Sequence, residues 1–69
     1  MAINFAYNYA IIDLATGMCV GVQSTTYEVT DADYIEIPVY DEEYILKYYI
    51  DGNWYEDSEG TTPWQSALL

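Results

Sequence analysis

Lys47-Tyr-Tyr-Ile-Asp-Gly-Asn-Trp-Tyr-Glu56 is the stretch that decides the fold. Asp51-Gly52 is a strong hairpin signal, because both central residues of a type I′ turn need φ > 0 and these residue types tolerate it. With that pair at the tip the register follows: Ile50 faces Asn53, Tyr49 faces Trp54, Tyr48 faces Tyr55 and Lys47 faces Glu56. Two aromatic pairs and one opposite-charge pair coincide, each contributing roughly 0.2–1 kcal/mol relative to alanine. A slip of one residue loses all three, so a single register is expected.

Upstream, Ile3, Phe5, Tyr7, Tyr9 and Ile11 alternate with Asn4, Ala6, Asn8, Ala10 and Ile12, which reads as one long strand with a bulky face. Asp13-Leu-Ala-Thr-Gly17 is a turn with Gly17 as its φ > 0 position. Met18 to Gln23 returns as a second strand, in which Gly21 marks a bulge or a close backbone approach. Ser24-Thr25-Thr26 breaks or bends that run. Tyr27 and Val29 suggest a short edge segment, and Asp31 and Asp33 read as turn formers. Tyr34 to Pro38 is a third strand whose proline restricts it to an end or an edge. Asp41-Glu42-Glu43 suits the start of one or two helical turns through Leu46.

The expected fold is therefore mainly β: a small antiparallel meander or hairpin domain with at most one short helical turn. Residues 1–60 form the domain and residues 61–69 a C-terminal tail, with no internal repeat.

At 69 residues a chain buries only about 60% of its unfolded surface and is marginal without a staple or partner. Cys19 is the only cysteine, so no intramolecular disulfide forms, and the absence of histidine excludes the common zinc sets. Oligomerisation remains, and a hydrophobic content of 52% supplies the surface for it. Twelve acids stand against the single base Lys47, a formal net charge of −11. Such a chain repels phosphate backbones and anionic bilayers, so neither nucleic acid nor membrane is an expected partner. The acid excess serves solubility and protection from edge-to-edge aggregation, or it engages a basic partner. The N-terminus lacks the basic and apolar regions of a signal peptide, so a cytosolic protein is expected, or one that leaves within an assembly.

Catalytic signals are weak. Without histidine only carboxylates, tyrosine hydroxyls, Cys19 and Lys47 remain, and no spacing suggests an activated pair. Cys19 reads as a small buried hydrophobe. Asp51, Asn53, Glu56, Asp57 and Glu59 offer hard oxygen ligands, but their spacing does not match a calcium loop and solvated hairpin charges explain them. An enzyme is not expected, and no cofactor or metal is assigned. Nine tyrosines with Trp54 and Trp64 give large contact area at low rotamer cost, a composition found at recognition surfaces. Both faces of the final hairpin carry aromatics, and a single sheet cannot bury both, so the second is covered either by the Asp41–Leu46 turn and the tail or by another chain. The candidate interface is therefore Tyr48, Tyr49, Trp54 and Tyr55 with Trp64, Leu68 and Leu69 of the tail, used for self-association and for contact with other protein.

Tyr9-Ala-Ile-Ile-Asp13, a glycine turn, Met18-Cys-Val-Gly-Val22, Ile37-Pro-Val-Tyr-Asp41 and Lys47-Tyr-Tyr-Ile-Asp-Gly-Asn-Trp54 together resemble a pattern in small structural modules of tailed bacteriophages, near or within tail-fibre and baseplate components. The resemblance spans residues 9 to 57. It implies a non-catalytic, virion- or fibre-associated role, commonly in homo-oligomers, in the host bacterial cytoplasm or the particle. The chain has no long fibre repeat or coiled-coil heptads. A second class fits the composition as well: a small acidic phage-encoded inhibitor of a bacterial defence system, acting on a basic target in the anti-CRISPR manner or by sequestering a small ligand.

Overall fold

The computed structural model describes residues 7–69; the proposed beginning of the first strand, including Ile3 and Phe5, lies outside them. Five strands and one 3-10 turn follow in order: β1 (Tyr7–Ile12), β2 (Cys19–Thr25), β3 (Tyr34–Ile37), the 3-10 turn (Glu42–Tyr44), β4 (Tyr48–Ile50) and β5 (Asn53–Tyr55). The fold is a small, mainly antiparallel β-structure with a single short helical turn, as expected. All ladders are antiparallel, in a three-stranded sheet of order β2-β1-β3 and the β4-β5 hairpin.

The hairpin forms in the expected register, with Ile50 opposite Asn53, Tyr49 opposite Trp54 and Tyr48 opposite Tyr55. Asp51 and Gly52 have φ of 50° and 85°, the two positive values that a type I′ tip requires. The Lys47–Glu56 pair does not form part of this ladder. β5 ends at Tyr55, the Glu56 N–H donates to the Thr62 carbonyl at 2.9 Å, and the Lys47 ammonium lies 5.1 Å above the Trp64 ring. The Trp64 face engages the Lys47 ammonium in place of the Glu56 carboxylate.

β1 is the central strand. Its turn to β2 is closed by Asp13 N–H to the Met18 carbonyl at 2.8 Å and Gly17 N–H to the Asp13 carbonyl at 2.6 Å, with Gly17 at φ 80°. A bulge forms beside Gly21 and not at it: Ile11 pairs with Gly21 but Ile12 pairs with Cys19, leaving Val20 as the extra residue. The second strand continues through Ser24 and Thr25 instead of breaking there, because both residues keep their pairing with Asn8 and Tyr7.

The core lies on the smaller face of β1. Ala10 and Ile12 are buried there with Cys19, Ile37 and Tyr44, and Val22, Ile35, Ile45, Tyr49, Trp54 and Trp64 pack around them. Tyr9, on the bulky face, is also buried, because the 26–33 connection crosses over it on the way from β2 to β3. The Tyr9 hydroxyl accepts from the Val29 N–H at 2.8 Å, and its ring meets Tyr34 edge-on at 5.7 Å. That bond explains why Tyr27 and Val29 form no strand: the Val29 N–H is taken by a side chain, not by a ladder.

The two sheets are stitched together along β2. Cys19 N–H donates to the Lys47 carbonyl (2.7 Å), Leu46 N–H to the Cys19 carbonyl (2.9 Å) and Tyr49 N–H to the Gly17 carbonyl (2.9 Å), and Met18 bridges Tyr48. Helical conformation stops at Tyr44, short of Leu46. Leu46 instead takes φ 77°, which turns the chain out of the 3-10 turn and into the hairpin. On the far side of β5, Tyr55 bridges Pro63 and the Trp64 N–H donates to the Trp54 carbonyl at 3.0 Å. The strands thus run β3-β1-β2-β4-β5 and then the 62–64 segment. This succession folds back on itself, so that Trp54 and Trp64 pack against the same cluster as Ile37.

Candidate functional site

Asp41 begins the assembly of the aromatic face. In extended conformation it caps the 3-10 turn, its carboxylate accepting from the Glu43 N–H at 2.9 Å. This places Tyr44 inward, where it is 2% exposed. Its ring meets Trp54 edge-on at 5.0 Å and Trp64 edge-on at 4.8 Å, and Tyr49 lies 5.1 Å from Trp54. Such edge-to-face pairs add roughly 0.5–1.5 kcal/mol beyond area burial. The ring cluster joins three distant pieces of chain: the turn, the hairpin and the tail.

The 61–69 segment does not hang free. Beyond Trp64, the buried Ser66 hydroxyl donates to the buried Asp41 carboxylate, and the Leu68 N–H donates to Ser66 Oγ at 3.1 Å. These bonds hold the Asp41 carboxyl below the usual carboxylate range, the Ser66 hydroxyl being the main cause and the Glu43 N–H the next. A carboxyl lowered in the folded state stabilises the fold above its unfolded pKa, and that contribution disappears as pH falls through the folded value. Ser66→Ala is therefore expected to lower the Tm at pH 7, with the gap to the unsubstituted chain narrowing below about pH 4. Thermal melts of both chains from pH 7 to pH 2.5 check this; a gap independent of pH would detach Ser66 from the Asp41 charge.

The candidate interface residues separate into two groups. Tyr49, Trp54 and Trp64 pack against their own chain's core, so the hairpin covers one of its aromatic faces internally. Tyr48 and Tyr55, on the other face, are half-buried, and Tyr55 lies beside Gly60 and bridges Pro63. Leu68 and Leu69 are 62% and 58% exposed. Trp54, Trp64 and Leu69, with Tyr44, Ile37 and Glu36, line a cleft of about 280 Å³ between the end of β3 and the hairpin–tail side. The sequence contained no local signal for that cleft, since its walls come from the end of β3, the 3-10 turn, the hairpin and the tail.

The other candidates resolve locally. Cys19 is fully buried, its Sγ–H donates to the Gly21 carbonyl at 3.1 Å, and burial pushes its thiol pKa up. A thiol held protonated and out of solvent is a packing residue. The Asp57 carboxylate accepts from the Thr61 hydroxyl and from the Thr61 and Thr62 N–H groups, and these bonds hold its pKa down. It closes its own loop. Among the described residues no three carboxylate or cysteine groups gather as a metal ion would need. Every acid except Asp33, Asp41 and Asp57 is exposed, so most of the negative charge is solvated.

No protein-family model, curated protein or solved structure matches the chain.

Proposed function

We propose that the chain is a non-enzymatic protein-interaction module that assembles with copies of itself through the hairpin–tail side, in a virion- or fibre-associated role in a tailed bacteriophage. The observation that carries the reading is the fastened tail. Ser66 and Trp64 hold residues 64–69 against the domain, yet Leu68 and Leu69 stay more than half exposed. The Leu68 and Leu69 N–H groups are bonded to Ser66 while their side chains stay open to water, and an exposed apolar patch marks a contact site. Burying one such side chain contributes about 1.5–3 kcal/mol per subunit. Repulsion between solvated acids at the rim is screened within roughly 8–10 Å at physiological salt. The phage context is supported by the strand-and-turn resemblance.

Sedimentation velocity at micromolar concentration and 0.15 M salt tests the reading. Expected is a discrete oligomer that dissociates in the Leu68→Ser/Leu69→Ser double variant. Trp54 and Trp64 are unsuitable probes, because they also build the core. A monomeric wild type sinks self-association. The excess of solvated acids favours a second reading, an acidic inhibitor of a basic host-defence protein, and a monomer that binds such a protein with strong salt dependence supports it.

A further inference from the structure

Antiparallel pairing leaves alternate backbone groups of an outer strand pointing away from its neighbour. In β3 the Asp33 carbonyl accepts from the Ile12 N–H at 2.8 Å, and Ala10 and Asn8 stand opposite Ile35 and Ile37. The intervening Glu36 therefore directs both its N–H and its carbonyl outward, as Tyr34 does its carbonyl. No described residue bonds to the Glu36 backbone groups. Beside the end of this strand lies the cleft of about 280 Å³, floored by Ile37, Tyr44, Trp54 and Trp64. Sites for whole small ligands usually measure about 300–1,000 Å³; this smaller one, next to a strand edge that no described residue pairs with, suits a single anchoring side chain on an extended backbone.

We infer that the β3 edge and the adjacent aromatic cleft together bind an extended peptide segment of another protein, one carrying an apolar anchor between basic residues. The bound segment adds a strand to β3 through the Glu36 backbone groups and inserts its apolar side chain between Ile37, Trp54 and Trp64, the usual division between main-chain affinity and pocket specificity. Charge selects the occupant. Exposed Glu36 stands on one wall and exposed Asp51 adjoins Gly52 on the other. Lys47, the chain's only base, is engaged over Trp64. A second copy fits poorly at this edge, because pairing β3 with itself brings Glu36 against Glu36. The inference rests on reading the chain as a protein-binding module, and not on its self-association.

The test uses the full chain and an acetylated, fluorescein-labelled peptide Lys-Val-Lys-Leu-Lys-Val-Lys, followed by anisotropy and by tryptophan emission. Expected is saturable binding in the micromolar range with a blue shift from Trp54 and Trp64. Methylating alternate peptide nitrogens, which removes strand hydrogen bonds but keeps the charge, should weaken binding about tenfold or more. Replacing every lysine of the peptide by glutamate should abolish it. Glu36→Pro removes the outward N–H without taking a bond from β1, and should weaken binding as methylation does; if that variant does not fold, the methylated peptide on the wild-type chain still decides. Equal binding of the methylated and unmethylated peptides would reduce the effect to bulk charge attraction and overturn the proposal. Absence of binding, or a chain that dimerises through β3 and excludes the peptide, overturns it as well. Sedimentation run in parallel separates this outcome from loss of self-association, since a monomer that binds the peptide refutes only the latter.

Discussion

Truncating Tyr44 to alanine should cost about 3–5 kcal/mol, the usual range for a large buried aromatic side chain. The ring is 2% exposed and sits edge-on to both Trp54 and Trp64, so its loss empties the space that the 3-10 turn, the hairpin and the tail share. A domain of this size holds only about 0.05–0.15 kcal/mol of stability per residue. The substitution should therefore leave much of the population unfolded at 37 °C. Tyr44→Phe keeps the ring and should stay within about 1 kcal/mol of the unsubstituted chain. Urea denaturation followed by tryptophan fluorescence measures both. Similar midpoints for the Ala and Phe variants would show that the three rings do not form the central contact.

Gly17→Val comes next in expected effect, and Gly52→Val is its internal control. Both glycines hold left-handed backbone, at φ 80° and 85°, a conformation that costs an L-residue roughly 1–2 kcal/mol and a β-branched one more. A Cβ on Gly52 meets nothing within 4 Å, whereas a Cβ on Gly17 would lie 3.0 Å from the Tyr49 carbonyl oxygen. That contact is backbone and cannot swing aside. Moving it also disturbs the Tyr49 N–H bond to the Gly17 carbonyl, which helps join the hairpin to the β1–β2 turn. Gly52→Val should therefore cost a little over 1 kcal/mol, and Gly17→Val about 3 kcal/mol or more once overpacking is added. For a chain of this length each kcal/mol moves the Tm by about 4–8 °C, so the two melts should separate clearly. Coincident melts would mean that the turn and the hairpin are not in contact at Gly17.

The alternation of β1 was readable in its sequence, but not which of its faces would become the core. Tyr7 and Tyr9 are larger than Asn8 and Ala10, and size alone favours burying the face that carries them. The chain does bury Tyr9, but it covers that ring with the 26–33 connection, leaving the smaller face to receive Tyr44 and the two tryptophans. The choice depends on where a later loop crosses, which no period-two pattern contains. The tail is a similar case. Trp64 is conspicuous in the sequence, while Ser66 is not, yet Ser66 is the residue that meets Asp41 across twenty-five positions of chain.

What the sequence determined by itself is what nearby atoms settle. Asp51 and Gly52 accept positive φ, so the hairpin closes there with its aromatics in register. Gly17 permits the first turn, Asp41 caps the 3-10 turn, and Pro38 stands just past the end of β3. Tertiary structure decided the pairing of β3 with β1 instead of β2, the joining of the sheets through Cys19, Lys47 and Tyr49, and the engagement of Lys47 with Trp64 in place of Glu56. The physical reason is the same in each case. A turn is chosen by the φ preference of one or two residues, whereas a ladder partner or a ring contact is chosen by competition among groups far apart in the chain, each won by the arrangement that buries most apolar surface while leaving the fewest backbone groups unpaired.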